Sequence, residues 1–247
     1  AEFEERLLAD FEEDSEELER TGVLLAALGL VDPGEDVVEA MRALLGAGVV
    51  GFYDPETAEL VVRGASVGPY VRSTVAHELV HALDDQHFDL DRPEYDEADD
   101  EIGFGFSAVV EGNARLIENA YMASLSDDER AQADQEAMDL AFDSAIDLLS
   151  VPPAMISMIT APYDHGEPFV EALLADGGQE ALDAAYEAPP RTSEQVLDPD
   201  AYLGSEEAVE VPHPEPANTL TPSPHTTACA DENAIRSVMR DRSSQNR

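Results

Sequence analysis

Apolar residues recur at helical spacing along most of this chain, which predicts a mainly helical protein. We expect helices over residues 2–20, 37–45, 69–85, 107–124, 126–149, 167–175 and 179–187. Ser126 and Glu129 have the spacing of a capping box at the start of the fifth helix. The Pro152-Pro153 pair is expected to interrupt the pattern, so the segment that leads to residue 167 is predicted to be a loop.

One part of the chain has the character of β structure. Residues 49–53 and 60–63 are rich in β-formers and are joined by Asp54-Pro55-Glu56-Thr57, a combination that predicts a hairpin with a short turn. The expected fold class is therefore mainly α, or α+β, with a single small hairpin beside the helix predicted over residues 69–85.

The net charge argues against some classes of binding partner. The chain has 55 acidic residues, 13 arginines and no lysine, and its formal net charge is −42. A nucleic-acid-binding face needs clustered positive charge to displace counterions from phosphate, so we expect no nucleic-acid partner. Such an acid excess, with arginine alone and no lysine as the base, is typical of halophilic proteins, in which salt screens the self-repulsion. An ordinary acidic protein is the alternative.

The charge also marks a boundary. Residues 1–204 hold 48 acids and 9 arginines, whereas residues 205–247 hold 7 acids and 4 arginines, with five prolines between positions 212 and 224. We predict a folded domain over 1–204 and a proline-rich, disordered tail over 205–247. No apolar stretch is long enough to span a bilayer. The chain begins at Ala1, which leaves open an upstream signal or anchor and an extracytoplasmic or membrane-anchored location.

The segment TVAHELVHAL at residues 74–83 contains the pattern HExxH in a helix-compatible frame. Histidines four residues apart on a helix share one face, so His77 and His81 can present two nitrogens to a single ion. Glu78, one residue further round, can reach a metal-bound water. The alternative is a chance HExxH whose histidines only occupy a buried face.

A zinc site needs a third protein ligand, and two residues compete for that role. Glu111 lies in the next predicted helix and can cross to the two histidines. His87 gives the longer pattern HExxHxxGxxH, except that Asp84 replaces the glycine at which the chain would turn. If the helix continues instead, His87 lies about 80° off the face of His77. Asp84 therefore favours Glu111, with a metzincin-like site on His87 as the alternative.

These motifs resemble those of known metallopeptidases. HExxH followed by Glu111-Gly112-Asn113-Ala114 resembles the gluzincin branch of the zincins, in which the Glu of an EGxA-type motif is the third zinc ligand. Over about residues 21–203 the chain also resembles a largely uncharacterised prokaryotic family assigned as zinc metallopeptidases. The matching segments are residues 51–57, 76–90, 111–114, 161–163 with Gly166, 169–170 and 189–197. After Leu203 the chain departs from that family, which has further folded sequence there.

The resemblance implies a zincin-like fold, one Zn²⁺ held by His77, His81 and Glu111, and Glu78 as general base. The predicted activity is zinc-dependent hydrolysis of a peptide or protein substrate. Zinc would lower the pKa of its bound water towards about 7 and polarise the scissile carbonyl. Glu78 would take the water proton and pass it to the leaving amine.

Two further features could serve the reaction. The developing oxyanion needs a hydrogen-bond donor, and Tyr163 or His165 is the nearest candidate in a predicted loop, although Tyr163 could equally be a packed aromatic. The hairpin could offer a strand edge to an extended peptide or be purely structural. The alternative function is a catalytically inactive, zinc-stabilised interaction module.

Overall fold

The computed structural model describes residues 2–8, 15–63, 67–96, 100–149 and 151–209. Contacts divide the chain into two compact units, residues 1–207 and residues 208–247. Of the second unit, only residues 208 and 209 belong to the described part. The disordered tail and its boundary after residue 204 therefore stay predictions.

The described part of the chain is mainly helical, with one two-stranded antiparallel sheet, which confirms the predicted fold class. In chain order its elements are α1 (Glu2–Leu7), α2 (Ser15–Ala27), α3 (Val37–Gly48), β1 (Gly51–Asp54), β2 (Glu59–Val62), α4 (Pro69–Phe88), α5 (Pro93–Asp96), α6 (Asp100–Ser124), α7 (Asp127–Leu148), α8 (Pro153–Gly177), α9 (Gln179–Glu187), α10 (Ser193–Leu197) and α11 (Pro199–Leu203). Residues 9–14, inside the first predicted helix, lie outside the described residues. The predicted hairpin is confirmed, with Tyr53 opposite Leu60.

The prediction of a loop before residue 167 is wrong. Residues 153–177 form one helix, α8, which contains Pro162 and Pro168. Pro153 takes the first helical position, where the missing N–H of proline costs nothing. The two internal prolines are tolerated because α8 packs extensively against α6, and tertiary packing overrides local propensity.

Among the described elements, α6 and α8 make the most extensive contact. Gly112 of α6 meets Gly166 of α8, and a Cβ atom on Gly112 would overlap the backbone of Gly166. A Cβ atom on Gly166 would in turn overlap the carbonyl of Ala108. Glycine at both positions lets the two backbones touch. The main core surrounds this crossing and comprises Ala108, Val109, Phe169, Val170, Leu173, Leu182, Ala185, Tyr186 and Val196.

Helix α4, which carries HExxH, lies against α6, α7 and the hairpin. Its first residue is Pro69 and its N-cap is Gly68, which has no side chain to accept a capping hydrogen bond. The carboxylate of Glu136 on α7 replaces a side-chain cap, since its Oε2 accepts a hydrogen bond of 3.0 Å from Tyr70 N–H. A carboxylate there satisfies a free amide and complements the helix dipole. The start of α4 is therefore fixed to α7.

The helices of the described segments lack the properties of a bilayer span. None of them combines the length and the apolar character that crossing a membrane requires.

Candidate metal centre

Three side chains with metal-ligating atoms meet between α4 and α6. They are His77, His81 and Glu111, whose ligand atoms all lie within 4.8 Å of one another. His77 Nε2 lies 3.0 Å from His81 Nε2 and 3.1 Å from Glu111 Oε2. His81 Nε2 lies 3.4 Å from the same oxygen. This group could hold a metal ion.

The spacing of these three atoms fits a small tetrahedral ion. Metal–ligand distances of about 2.0–2.1 Å at tetrahedral angles place neighbouring ligand atoms about 3.3–3.4 Å apart. The observed separations of 3.0, 3.1 and 3.4 Å are close to that value. Little movement is needed for one ion to contact all three atoms.

The electrostatics of the group favour a positive charge at its centre. Burial acts to lower the pKa of His77, but the carboxylates of Glu111 and Glu118 raise it to about 9. Burial acts to raise the pKa of Glu111, but His77 and His81 lower it to about 2. A bound cation would supply the positive charge that this arrangement stabilises.

His87 is not brought to this group. Helix α4 continues through Phe88, so the chain makes no turn after His81. His87 is exposed, and its Nδ1 lies 2.8 Å from the carbonyl oxygen of Leu83, one turn earlier in the helix. Among the described residues, the ligand group contains Glu111 and not His87. The geometry therefore favours Glu111 as the third ligand.

Glu78 lies beside the ligands and is oriented by the hairpin. Its side chain is buried, and its Oε2 accepts a hydrogen bond of 2.9 Å from Tyr53 N–H of β1. Burial raises the pKa of Glu78, while the two histidines act in the opposite direction. Tyr53 is fixed to α4 a second time, because its hydroxyl donates to Asp85 Oδ2 at 2.7 Å. This hydrogen bond is the main reason that the pKa of Tyr53 rises to about 12.

Tyr163 also lies at the site, although on a helix and not in the predicted loop. Its ring stacks on His77 with 5.9 Å between ring centroids and 21° between planes. Burial, followed by the charge of Glu111, raises the pKa of Tyr163, so its hydroxyl stays protonated and able to donate. His165 is exposed two residues further along α8 and on another face of the helix. The role of Tyr163 in catalysis stays a prediction.

Glu118 is a site residue that the sequence analysis missed. Its Oε2 lies 3.5 Å from His77 Nδ1 and 3.5 Å from Arg115 Nη1. Histidines that bind metals commonly present their second nitrogen to a carboxylate, which orients the ring. The sequence does contain a signal, because Glu111 and Glu118 are seven residues apart and lie on one face of α6.

Comparison with known proteins does not assign a function to this chain. No protein-family model, no curated protein and no solved structure matches this chain. The resemblance of its motifs to those of zinc metallopeptidases therefore stays a prediction. Geometry and chemistry of the described residues carry the functional inference.

Proposed function

We propose that this protein is a zinc-dependent metallopeptidase. The observation that carries the proposal is the convergence of His77, His81 and Glu111 beside a buried glutamate, Glu78. Two imidazoles and one carboxylate are a donor set that catalytic zinc sites use, with a fourth position left for water or substrate. Magnesium and calcium prefer sets made of oxygen ligands alone. The motifs that resemble gluzincins support the same conclusion.

Each neighbouring residue has a chemical task in this reaction. Bound zinc would supply an acidified water and polarise the scissile carbonyl. Glu78, held by Tyr53 N–H, takes a proton from water and passes it to the leaving amine. Tyr163, whose ring is fixed against His77, donates a hydrogen bond to the developing oxyanion.

The hairpin supports a peptide as the substrate. One side of β1 pairs with β2, and Tyr53 N–H on the other side points to Glu78. The edge of β1 that faces away from β2 therefore runs past the site. Because Tyr53 N–H is already bonded to Glu78, an extended peptide would add to this edge through its other backbone groups and would bring a peptide bond towards the ligands.

Substitution of Glu78 by Gln separates an enzyme from a catalytically inactive, zinc-stabilised module. Glu78 is not a member of the ligand group, so Glu78→Gln should keep zinc. It should lower kcat by a factor of about 10² to 10⁴ or more, because the general base is lost. Cleavage of a diverse peptide library, measured at about 0.1 M and about 2 M salt with and without a chelator, provides the readout.

The matched control is Glu180→Gln, which makes the same change on an exposed position of α9 and should keep full activity. A wild type that binds zinc but shows no cleavage sensitive to chelation or to Glu78→Gln would favour the inactive module.

A further inference from the structure

Behind the metal ligands, three polar side chains from three helices meet in the protein interior. Asn113 Nδ2 on α6 donates a hydrogen bond of 2.9 Å to Asp84 Oδ2 on α4. The hydroxyl of Tyr186 on α9 donates to the same oxygen. Asn113 Nδ2 also lies 3.2 Å from the Tyr186 hydroxyl oxygen. Asp84 is 7% exposed and Tyr186 is fully buried, yet the proposed reaction uses neither.

This network, formed by Asp84, Asn113 and Tyr186, is close to the ligands along both helices. Asp84 follows His81 by three residues, and Asn113 follows Glu111 by two. Three residues of a helix rise about 4.5 Å, less than one turn. The hydrogen bond between Asp84 and Asn113 therefore joins α4 to α6 within one turn of a ligand on each helix. A displacement of α6 that carries Glu111 away from the histidines would strain this bond.

Tyr186 is held independently of its hydroxyl. Its ring stacks on Phe88 of α4, with 4.4 Å between centroids and 5° between planes. Its backbone carbonyl accepts a hydrogen bond of 2.9 Å from Arg92 Nη1. The hydroxyl is thus fixed in place beside Asp84. A buried carboxylate needs such donors, because an unpaired buried charge is strongly destabilising.

We propose that Asp84, Asn113 and Tyr186 are positioning residues for the metal centre. They fix the separation and register of α4 and α6, so that the three ligand atoms are already close together when an ion arrives. Preorganised ligands bind more tightly, because less of the binding free energy is used to order the site. This inference rests on the metal centre of the proposed function but does not require peptidase activity.

The test compares zinc affinity with folding in matched variants. Tyr186→Phe removes the hydroxyl and keeps the stacked ring, while Asn113→Asp places a second carboxylate opposite Asp84 and removes the amide donor. Each should weaken zinc binding at least about tenfold, as measured by competition with a chelator at a salt concentration where the apoprotein is folded. Tyr202→Phe is the control, because it removes a hydroxyl that donates to the Ala188 carbonyl at 2.7 Å. It should leave zinc affinity within about twofold of wild type, since that bond involves neither α4 nor α6.

Exchange of the two polar residues provides a rescue. The double variant Asp84→Asn with Asn113→Asp restores a carboxylate and amide pair between α4 and α6 with donor and acceptor reversed. Its zinc affinity should return to within about threefold of wild type, since the two changes compensate each other. The visible absorption spectrum of the cobalt-loaded double variant should return to the wild-type shape.

Two results would overturn the inference: variants that lose stability in urea but keep wild-type zinc affinity, or a wild type that binds no metal. Tyr186→Phe, the mildest change, decides the matter where the other variants do not fold. The two proposals can fail separately. If zinc affinity depends on the network but the protein has no peptidase activity, this inference is supported and the proposed function is contradicted.

Discussion

The second ring nitrogen of His77 faces Glu118, a carboxylate that is not part of the ligand group. Burial acts to raise the pKa of Glu118, but the proximity of His77 and Arg115 lowers it, so the side chain stays ionised. A carboxylate beside the second nitrogen orients a ligating histidine and raises its basicity. Glu118 should therefore strengthen metal binding without contacting the metal.

We predict that Glu118→Gln weakens zinc binding by about 10-fold to 100-fold, because it removes the charge and keeps the shape. Chelator competition measures this affinity. Glu167→Gln is the matched control, since Glu167 accepts a hydrogen bond of 2.7 Å from Asn119 at an exposed position. Equal zinc affinities for the two variants would contradict the role of Glu118.

The residues at the site differ in how far the sequence could predict them. His77, Glu78 and His81 follow from helical geometry alone, because their spacing places them together on any helix. The contacts of Asp84 could not be predicted in this way. Its partners lie 29 and 102 residues away, and local patterns carry no information on which distant helices meet. From the sequence, Asp84 indicates only that the chain lacks the glycine at which it would turn towards His87.

Among the elements, those with local signals were predicted best. The hairpin follows from its turn, and the capping box before α7 is confirmed by a 3.2 Å hydrogen bond from Ser126 N–H to Glu129 Oε2. Local signals do not predict helix α8, because each of its internal prolines disfavours a helix by about 3 kcal/mol. Burial of large apolar side chains contributes about 1.5–3 kcal/mol each, which offsets that cost once α8 packs on α6. The side chains of Phe169 and Leu173 are fully buried in this contact.

The crossing of α6 and α8 yields a prediction for Gly112. An added methyl group would overlap the backbone of Gly166, so Gly112→Ala should lower the free energy of unfolding by about 1–3 kcal/mol. Zinc affinity should fall as well, because Glu111 is the neighbouring residue. Urea denaturation of the apoprotein and chelator competition measure the two effects.

Gly46→Ala is the control for this substitution. Gly46 lies within α3, and a Cβ atom there would meet nothing within 4 Å. Alanine should therefore be neutral or stabilising by about 0.5–1 kcal/mol at that position. A Gly112→Ala variant as stable as Gly46→Ala would show that the helices do not need this close approach.

At the scale of the whole molecule, charge is the dominant feature. Residues 1–204 contain 48 acids and 9 arginines, so repulsion between acids outweighs the ion pairs that the arginines can form. Repulsion acts over roughly 10 Å at about 0.1 M salt and over roughly 3 Å at about 1 M. Dozens of weak repulsions oppose a net stability that is typically only about 5–15 kcal/mol.

We therefore predict that the folded domain becomes more stable as salt rises. Urea adds no ionic strength of its own, so its unfolding midpoint can be compared at about 0.1 M and about 2 M potassium chloride. The midpoint should increase at the higher concentration. An unchanged or lower midpoint would show that the acidity is an ordinary solubility feature.

Zinc binding by Glu111→Gln, measured beside His87→Ala, tests the metal centre most directly. Wild type should bind one zinc ion per chain, as determined by elemental analysis, and zinc should raise its thermal unfolding temperature. Glu111→Gln removes a ligand. Its loss of zinc affinity should therefore exceed the factor of about 10 to 100 expected for Glu118, which faces a ligand but does not contact the metal. His87→Ala should bind zinc like wild type. A Glu111→Gln variant with full affinity, together with loss of zinc in His87→Ala, would contradict the account and place the third ligand at His87.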